Sequence, residues 1–292
     1  MTKAINLRNI LFVVFTGVAL LIYSQHLLSL FKNSLDSELY SHITLIPIVS
    51  AYILYSNRRK ILTQISYSYL PGIILVALGI ILNLIGAGYH AEMSKNDFLS
   101  LMTFSALIFW IGSFVFCYGT AAFKRGSFPL LFLFFMVPVP GLIMDNLIYM
   151  LQAGSTEVTA IILSLTGVPV LREGFVFHFP GLNVEVAKEC SGIRSSLALF
   201  ITSIIAGQLY LQTGSRRVIL CLLAIPITIF KNGVRIVSLS LLGYYVDERM
   251  LEGSLHTRGG IPFFLLALSV LGIVLWILKR TEKNQIAKKS VA

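Results

Sequence analysis

Long apolar runs alternate with short polar stretches along most of the chain. Runs of about twenty apolar residues have the length that a helix needs to cross the hydrocarbon core of a bilayer. The pattern predicts eight spans, at residues 9–31, 42–56, 68–88, 99–122, 128–151, 191–211, 217–243 and 261–278. The fifth contains VPVPG, which membrane helices tolerate where neighbouring groups satisfy the freed backbone. The predicted fold class is an all-α polytopic membrane protein with about eight transmembrane helices.

Two segments before the sixth span have a different pattern. Residues 152–166, QAGSTEVTAIILSLT, have the spacing of an amphipathic helix that lies near the membrane surface and is not counted as a span. Residues 167–190 alternate weakly and contain the turn sequence FPGLN. They predict a short exterior β-hairpin with strands at about 169–179 and 182–188. With no soluble domain or repeat in the sequence, residues 1–292 are interpreted as one integral-membrane domain.

Composition agrees with a membrane protein and orients it. Of the 292 residues, 56% are hydrophobic and 12% are charged, whereas soluble domains carry about 25% charge. The net charge of +10 does not require nucleic acid, because basic residues of membrane proteins gather in cytoplasmic loops. With a cytoplasmic N-terminus, 14 of the 23 basic residues fall inside and 10 of the 13 acidic residues fall outside. Both termini are therefore predicted to be cytoplasmic, and the N-terminal apolar run is too long for a signal peptide.

The three cysteines separate into two kinds. Cys117 and Cys221 lie inside apolar runs, where a free cysteine packs as a small hydrophobe. Cys190 lies at the exterior start of the sixth span, after a polar stretch. An odd, small number of cysteines excludes a disulfide framework, and no spacing fits a metal site. No metal and no cofactor are predicted.

Predicted topology brings three reactive side chains to the outer boundary. Arg235 lies 18 residues after Arg217, which begins the seventh span, so it is about 27 Å along that helix. His256 falls in the exterior loop before the last span. A thiol beside a helix N-terminus and a cation is a candidate nucleophile, and Arg194, four residues after Cys190, is expected on the same helix face.

Structural roles remain open for each of these residues. A boundary cysteine often only packs, and Arg235 can extend its side chain to the interface, although arginine within a span is a functional candidate. Asn232 and Arg235 are i, i+3 neighbours that can form one polar face. Topology does not choose the partner histidine, because four others are also predicted near the exterior: His26, His42, His90 and His178.

Several segments together resemble one family, the exosortase/archaeosortase family of integral-membrane cysteine transpeptidases. The resemblance runs from about residue 40 to 270 and rests on SHITLIPIVSAYILYSNRRK, FPLLFLFFMVPVPGLIMDNLIYMLQ, TGVPVLREGFVFHFPGLNVEVAKECSGIRSS, KNGVRIVSLSLLG and HTRGGIPFFLLAL. It implies a catalytic set of Cys190, Arg235 and His256. Arg258 is a minor alternative to the histidine. The residues expected to contact substrate are Arg194, Glu189, Asn232 and His42.

The resemblance also implies a reaction at the extracytoplasmic face of the plasma or inner membrane. The expected partners are secreted proteins with a C-terminal motif, one transmembrane helix and a basic cluster, and a membrane lipid or glycolipid is expected to accept the acyl group. No nucleic-acid partner is expected. One alternative is a membrane-boundary cysteine protease in which water is the acceptor. Another is a transporter or polysaccharide-export subunit. Such a protein is expected to have internal repeats and ionisable residues at the bilayer midplane.

Overall fold

The computed structural model describes residues 2–63, 65–247 and 260–291, without the side chains of 2–6, 38 and 286–291. The chain forms two compact units, Met1–Met144 and Asp145–Ala292. Its helices are α1 (Thr2–Asp36), α2 (Leu45–Ile61), α3 (Tyr69–Gly88), α4 (Lys95–Arg125), α5 (Ser127–Phe132), α6 (Gly141–Thr166), α7 (Ile193–Tyr210), α8 (Gly214–Tyr245) and α9 (Gly260–Val291). Within the described residues, eight helical segments are long and apolar enough to cross a membrane. The predicted all-α membrane fold is confirmed, and the orientation of the termini stays a prediction.

In the first unit, α3 and α4 pack along a row of glycines. Gly72, Gly79 and Gly86 recur every seven residues on α3 and are buried. A methyl group on Gly79 would lie 2.8 Å from the backbone nitrogen of Phe109, and one on Gly72 would lie 2.6 Å from the Cα of Phe116. Because these neighbours are backbone atoms, the close approach of the two helices requires glycine.

Polar contacts tie α1 to the same glycine row. The carbonyl oxygen of Gly79 accepts hydrogen bonds from the hydroxyl groups of Ser105, at 2.7 Å, and Tyr23, at 3.2 Å. The two hydroxyl oxygens also lie 2.7 Å apart, and because each hydroxyl has one proton, only two of these three hydrogen bonds form at a time. Tyr23 is 1% exposed and Ser105 is 0% exposed. This buried group is fully satisfied, as a polar group inside a membrane protein must be.

The fifth span differs from its predicted bounds of 128–151. Residues 127–136 form short helical turns, residues 137–140 are not helical, and α6 begins only at Gly141. Pro138 and Pro140 explain the break, since proline lacks a backbone N–H and disfavours helix in the residue before it. The backbone N–H of Gly141 then donates to the carboxylate of Asp97, at 2.7 Å.

The predicted surface helix at residues 152–166 is also wrong as a separate element. These residues form the second half of α6, which is continuous from Gly141 to Thr166. The reason is a stripe of buried residues that a prediction from hydropathy does not take into account. The residues of this stripe are all at most 6% exposed: Leu151, Gln152, Ser155, Thr156, Thr159 and Leu163. Residues spaced three and four apart share one helix face, so this stripe packs inward as one face of α6.

In the second unit, the predicted hairpin is a sheet of three antiparallel strands. They are β1 (Leu171–Glu173), β2 (Val176–Phe179) and β3 (Leu182–Glu185), in the order β1-β2-β3. Two strands were predicted, and the first is divided by a turn at Gly174, whose φ is 60°. The predicted FPGLN turn is present, with Gly181 at φ 84°. Both turns use the left-handed backbone that glycine adopts readily.

The sheet packs one face against the helices. Its buried side chains form a single apolar cluster with α6 and α8: Phe177, Phe179, Leu182, Leu163, Ile236 and Val237. The other face, which carries His178, Asn183 and Glu185, is partly or fully exposed. Alternation of side chains along each strand produces this division into a buried and an exposed face. The packing of the buried face fixes the position at which the chain leaves β3.

At the opposite end of α8, a carboxylate from α9 closes the turn after α7. Glu282 is 4% exposed and accepts hydrogen bonds from the backbone N–H groups of Gln212, at 3.0 Å, and Thr213, at 2.8 Å. It also accepts from the Thr213 hydroxyl, at 2.6 Å. Arg216 donates to Thr281 Oγ1 at 2.7 Å. The two backbone amides just before α8 are therefore satisfied by a side chain from another helix.

Candidate functional site

Cys190 lies in a short 3₁₀ helix, Lys188–Ser191, between β3 and α7. Its backbone N–H donates to the carbonyl of Ala187, at 2.9 Å, and the residue is half-buried. Gly192 follows with φ 71°, and α7 begins at Ile193. Because this left-handed residue separates Cys190 from α7, the predicted i, i+4 helix-face relation between Cys190 and Arg194 is wrong.

Asn232 of α8 holds the backbone of Cys190 in place. Its side-chain amide donates to the Cys190 carbonyl, at 2.7 Å, and to the hydroxyl of Ser155 on α6, at 3.1 Å. Asn232 and Ser155 are both 0% exposed. Asn232 thus joins α6, α8 and the 3₁₀ helix. Through these contacts Asn232 supports the backbone of Cys190, whereas the sequence suggested that Asn232 contacts substrate.

Gly192 allows α8 to approach this closely. A methyl group on Gly192 would lie 2.9 Å from Oδ1 of Asn232 and 3.5 Å from Nζ of Lys231. Any side chain would also be strained at this positive φ. Oδ1 of Asn232 and the hydroxyl of Ser191 are buried atoms without a hydrogen-bond partner among the described residues. Such unmet polar groups are uncommon in a structural core.

Lys231 forms a second link between α8 and α7. Its ammonium group donates to the hydroxyl of Ser195, at 2.6 Å, and Ser195 donates in turn to the carbonyl of Gly192, at 2.9 Å. Lys231 is 4% exposed, and no carboxylate among the described residues pairs with it. Arg235, one turn along α8, repels the charge of Lys231.

Charged side chains of both signs surround the Cys190 sulfur. Arg235 interacts electrostatically with the thiol, as do Glu189 and Glu185. Burial of the sulfur is the strongest effect and disfavours the thiolate, the guanidinium favours it, and the two carboxylates oppose it. The structure therefore brings together two members of the predicted catalytic set, Cys190 and Arg235.

The end of β3 is also fixed before it reaches the site. The backbone N–H of Val186 donates to the carbonyl of Phe175, at 2.9 Å. The carbonyl of Val186 accepts from the side chain of Gln152, at 2.6 Å. Val186 is 1% exposed. These bonds leave three residues between an immobilised backbone and the nucleophile.

The remaining predicted residues have different positions. Glu189 and Arg194 are exposed on either side of Cys190. His42 is half-buried in a 3₁₀ helix of the first unit, Glu38–Thr44. His256 and Arg258 lie outside the described residues, so the histidine of the catalytic set stays a prediction from sequence. Cys117 is 0% exposed in an apolar cluster of the first unit, consistent with packing.

Sequence reasoning did not identify the residues that support the nucleophile. Gln152, Ser155, Ser195 and Lys231 received no role. A usable signal was present, because small polar residues in α6 recur at helical spacing within an otherwise apolar run. Polar side chains inside membrane helices usually face protein or water and mark functional regions.

Comparison with known proteins identifies the family. The sequence model described as transmembrane exosortase matches residues 33–273, which includes every described residue of the site. No curated protein and no solved structure matches the chain. The match covers most of the chain and contains both the Cys190 segment and the α8 segment with Asn232 and Arg235. This multi-pass membrane protein therefore belongs to the transmembrane exosortase family.

Proposed function

We propose that the protein is a membrane-embedded cysteine transpeptidase that cleaves C-terminal sorting signals at the extracytoplasmic face and transfers the acyl group to an acceptor. The observation that carries this proposal is the setting of Cys190. Asn232 fixes its carbonyl at 2.7 Å, and the guanidinium of Arg235 acts on its thiol. Burial of the sulfur opposes its ionisation, and the Arg235 guanidinium counteracts this by favouring the thiolate that attacks a carbonyl.

In the proposed first step, His256 takes the proton of the Cys190 thiol, and the sulfur attacks the carbonyl carbon of the scissile peptide bond. Arg235 stabilises the negative charge that develops on the carbonyl oxygen. The C–N bond then breaks, and His256 gives a proton to the departing amine. The product is a thioester between Cys190 and the secreted part of the substrate, while the transmembrane helix and its basic cluster are released.

In the second step, an amine or hydroxyl of a membrane lipid or glycolipid attacks the thioester. His256 accepts the proton of this nucleophile, the C–S bond breaks, and His256 passes that proton to the departing sulfur, which restores the thiol of Cys190. If water enters instead, the same residues act as a protease. Because the histidine returns to its starting protonation state after both steps, no cofactor is needed in this scheme.

The test is co-expression with a membrane-anchored reporter that ends in a candidate motif, one transmembrane helix and a basic cluster. Replacement Cys190→Ala is expected to abolish processing, whereas the matched replacement Cys221→Ala should preserve it. Mass spectrometry of the new C-terminus separates the two outcomes: an added lipid mass indicates transfer, and a free carboxylate indicates hydrolysis. Full processing by the Cys190→Ala variant would exclude Cys190 as the nucleophile.

A further inference from the structure

The outer edge of β3 is open and leads directly to the nucleophile. The hydrogen bond from Val186 N–H to Phe175 identifies these residues as a hydrogen-bonded pair of the antiparallel ladder, in the register that pairs Val176 with Glu185. Hydrogen-bonded pairs alternate along such a ladder. Residues 182, 184 and 186 therefore bond to β2, whereas Asn183 and Glu185 direct their backbone N–H and C=O groups away from the sheet.

These outward groups have no partner in the part of the chain that is described. No hydrogen bond reaches the backbone N–H or C=O of Asn183 or Glu185 from residues 2–63, 65–247 or 260–291. Both residues are exposed. A free edge of this kind is a template for another strand, and proteins that do not use one usually block it. It also has to face water, since unpaired backbone is not tolerated in hydrocarbon.

The same edge ends beside the reactive sulfur. Glu185 is the last residue of β3, and its carboxylate interacts electrostatically with the Cys190 thiol. Both ends of the intervening segment are fixed, by Gln152 at Val186 and by Asn232 at Cys190. An extended chain that pairs with Asn183 and Glu185 would therefore be directed towards the sulfur.

We propose that the substrate polypeptide binds as a fourth strand on the outer edge of β3, which presents its scissile bond to Cys190. This inference rests on the proposed function and adds the way in which the substrate is recognised. Main-chain hydrogen bonds provide the affinity in such strand addition, and flanking side chains provide the selectivity. The ligand class is thus an extended peptide segment, recognised first by its backbone.

The probe is an acetylated hexapeptide of valine and threonine that carries a C-terminal chloromethyl ketone. It alkylates Cys190: the sulfur displaces chloride, a C–S bond forms, and HCl is released. Iodoacetamide, which has no peptide strand, reports the intrinsic reactivity of the same thiol. Intact-protein mass spectrometry gives both rates for the full chain in detergent. We expect the peptide reagent to be accelerated by edge binding and iodoacetamide to be unaffected by it.

Proline at position 183 removes an outward N–H without removing a ladder bond, and proline is tolerated on the free side of an edge strand. Replacement Asn183→Pro is expected to slow the peptide reagent about fivefold, equivalent to about 1 kcal/mol for one backbone hydrogen bond. Asn183→Ala is the matched control. It loses the same 2.8 Å side-chain contact with His178 but keeps the N–H. Equal rates for the two variants would overturn the proposal.

N-methylation of each amide of the probe in turn tests the strand without changing the protein. Only alternate amides of a strand face its neighbour, so the loss of rate is expected at every second position. A uniform loss, or none, would overturn the proposal. Hydrogen exchange should show that the amides of Asn183 and Glu185 become protected only when the probe is bound.

Two other occupants of the edge give distinct results. If residues 248–259 of the same chain cover it, the two amides are protected before the probe is added, and the proposal fails. If a second copy covers it, Asn183→Pro changes the oligomeric state in size-exclusion chromatography, and the proposal also fails. Failure of the proposed function is separate: reporter cleavage would then persist in Cys190→Ala, whatever the probe does at the edge.

Discussion

The two compact units hold their helices together by different means. In the first unit, α3 and α4 lie close together along a row of glycines. A methyl group added at Gly79, for example, would clash with the backbone of Phe109. In the second, α6, α7 and α8 are joined by buried polar side chains, above all Asn232 and Lys231. Close apolar packing tolerates little change of shape, whereas a polar network sets the position of particular atoms. The difference suggests a scaffold in one unit and a positioned nucleophile in the other.

The largest expected effect tests the packing of the first unit. Replacement Gly79→Ala places a carbon 2.8 Å from the backbone of Phe109 and should destabilise the protein by about 3 kcal/mol, because a packed core cannot absorb the added group. Gly88→Ala on the same helix meets no atom within 4 Å and is the control. Thermal unfolding in detergent measures both. Similar melting temperatures for the two variants would contradict the close approach of α3 and α4.

Next in size is the effect of Asn232→Ala on catalysis. The Cys190 carbonyl loses its 2.7 Å donor, and a nucleophile displaced by about 1 Å can lose about 100-fold in rate. The measurement is the rate of Cys190-dependent processing at saturating reporter, with iodoacetamide labelling as a check that the thiol stays accessible. Ser155→Ala, which removes only the bond to α6, should lose less. Equal losses would place the role of Asn232 in general stability.

A third prediction concerns the asymmetry of the Lys231–Ser195 contact. Replacement Ser195→Ala leaves a buried ammonium without its 2.6 Å acceptor and should destabilise by about 2 kcal/mol. Lys231→Met removes the charge and keeps the volume, which is often neutral or stabilising at buried sites. Melting temperatures should therefore rank Lys231→Met above Ser195→Ala. The reverse order would mean that the charge of Lys231 itself stabilises the second unit.

The smallest effect is expected at the surface of the second unit. Arg172 and Glu157 form a two-pronged ion pair with contacts of 2.6 and 3.0 Å, and the Glu157 side chain is 63% exposed. Exposed pairs contribute little and are screened by salt. Replacement Glu157→Gln should lower the melting temperature less than Gly79→Ala or Ser195→Ala, and only at low ionic strength. A large shift that persists in high salt would show that the pair does more than link β1 to α6.

Sequence patterns predicted the elements that depend on local composition. The eight apolar segments and the turn at Pro180 and Gly181 follow from length and residue type, and both are present. The bounds of the fifth span were wrong because hydropathy alone does not show that a new helix begins after a break caused by proline. The division of the first predicted strand at Gly174 was missed because one glycine within an alternating run is also compatible with a continuous strand.

The site was predicted only where chemistry identifies a residue by itself. A cysteine at a span boundary and an arginine inside a span are unusual, so a functional role was predicted for Cys190 and Arg235. Ser155 and Gln152 are ordinary residues, and their importance arises from contacts with segments more than thirty residues away. The position of Gly192 likewise matters because of what lies opposite it. Such pairings depend on tertiary packing, which periodicity does not encode.

The contacts of the Glu282 carboxylate imply that one end of the second unit is completed late in its assembly. Helix α8 emerges from the ribosome well before residue 282, yet the amides of the turn that precedes it receive their acceptor from that residue. Until α9 enters the membrane, the turn at Gln212 and Thr213 has to rely on water. Insertion of the last helix therefore completes this end of the second unit, and a nascent chain that stalls before residue 282 would leave the turn as a place where quality-control proteases can act.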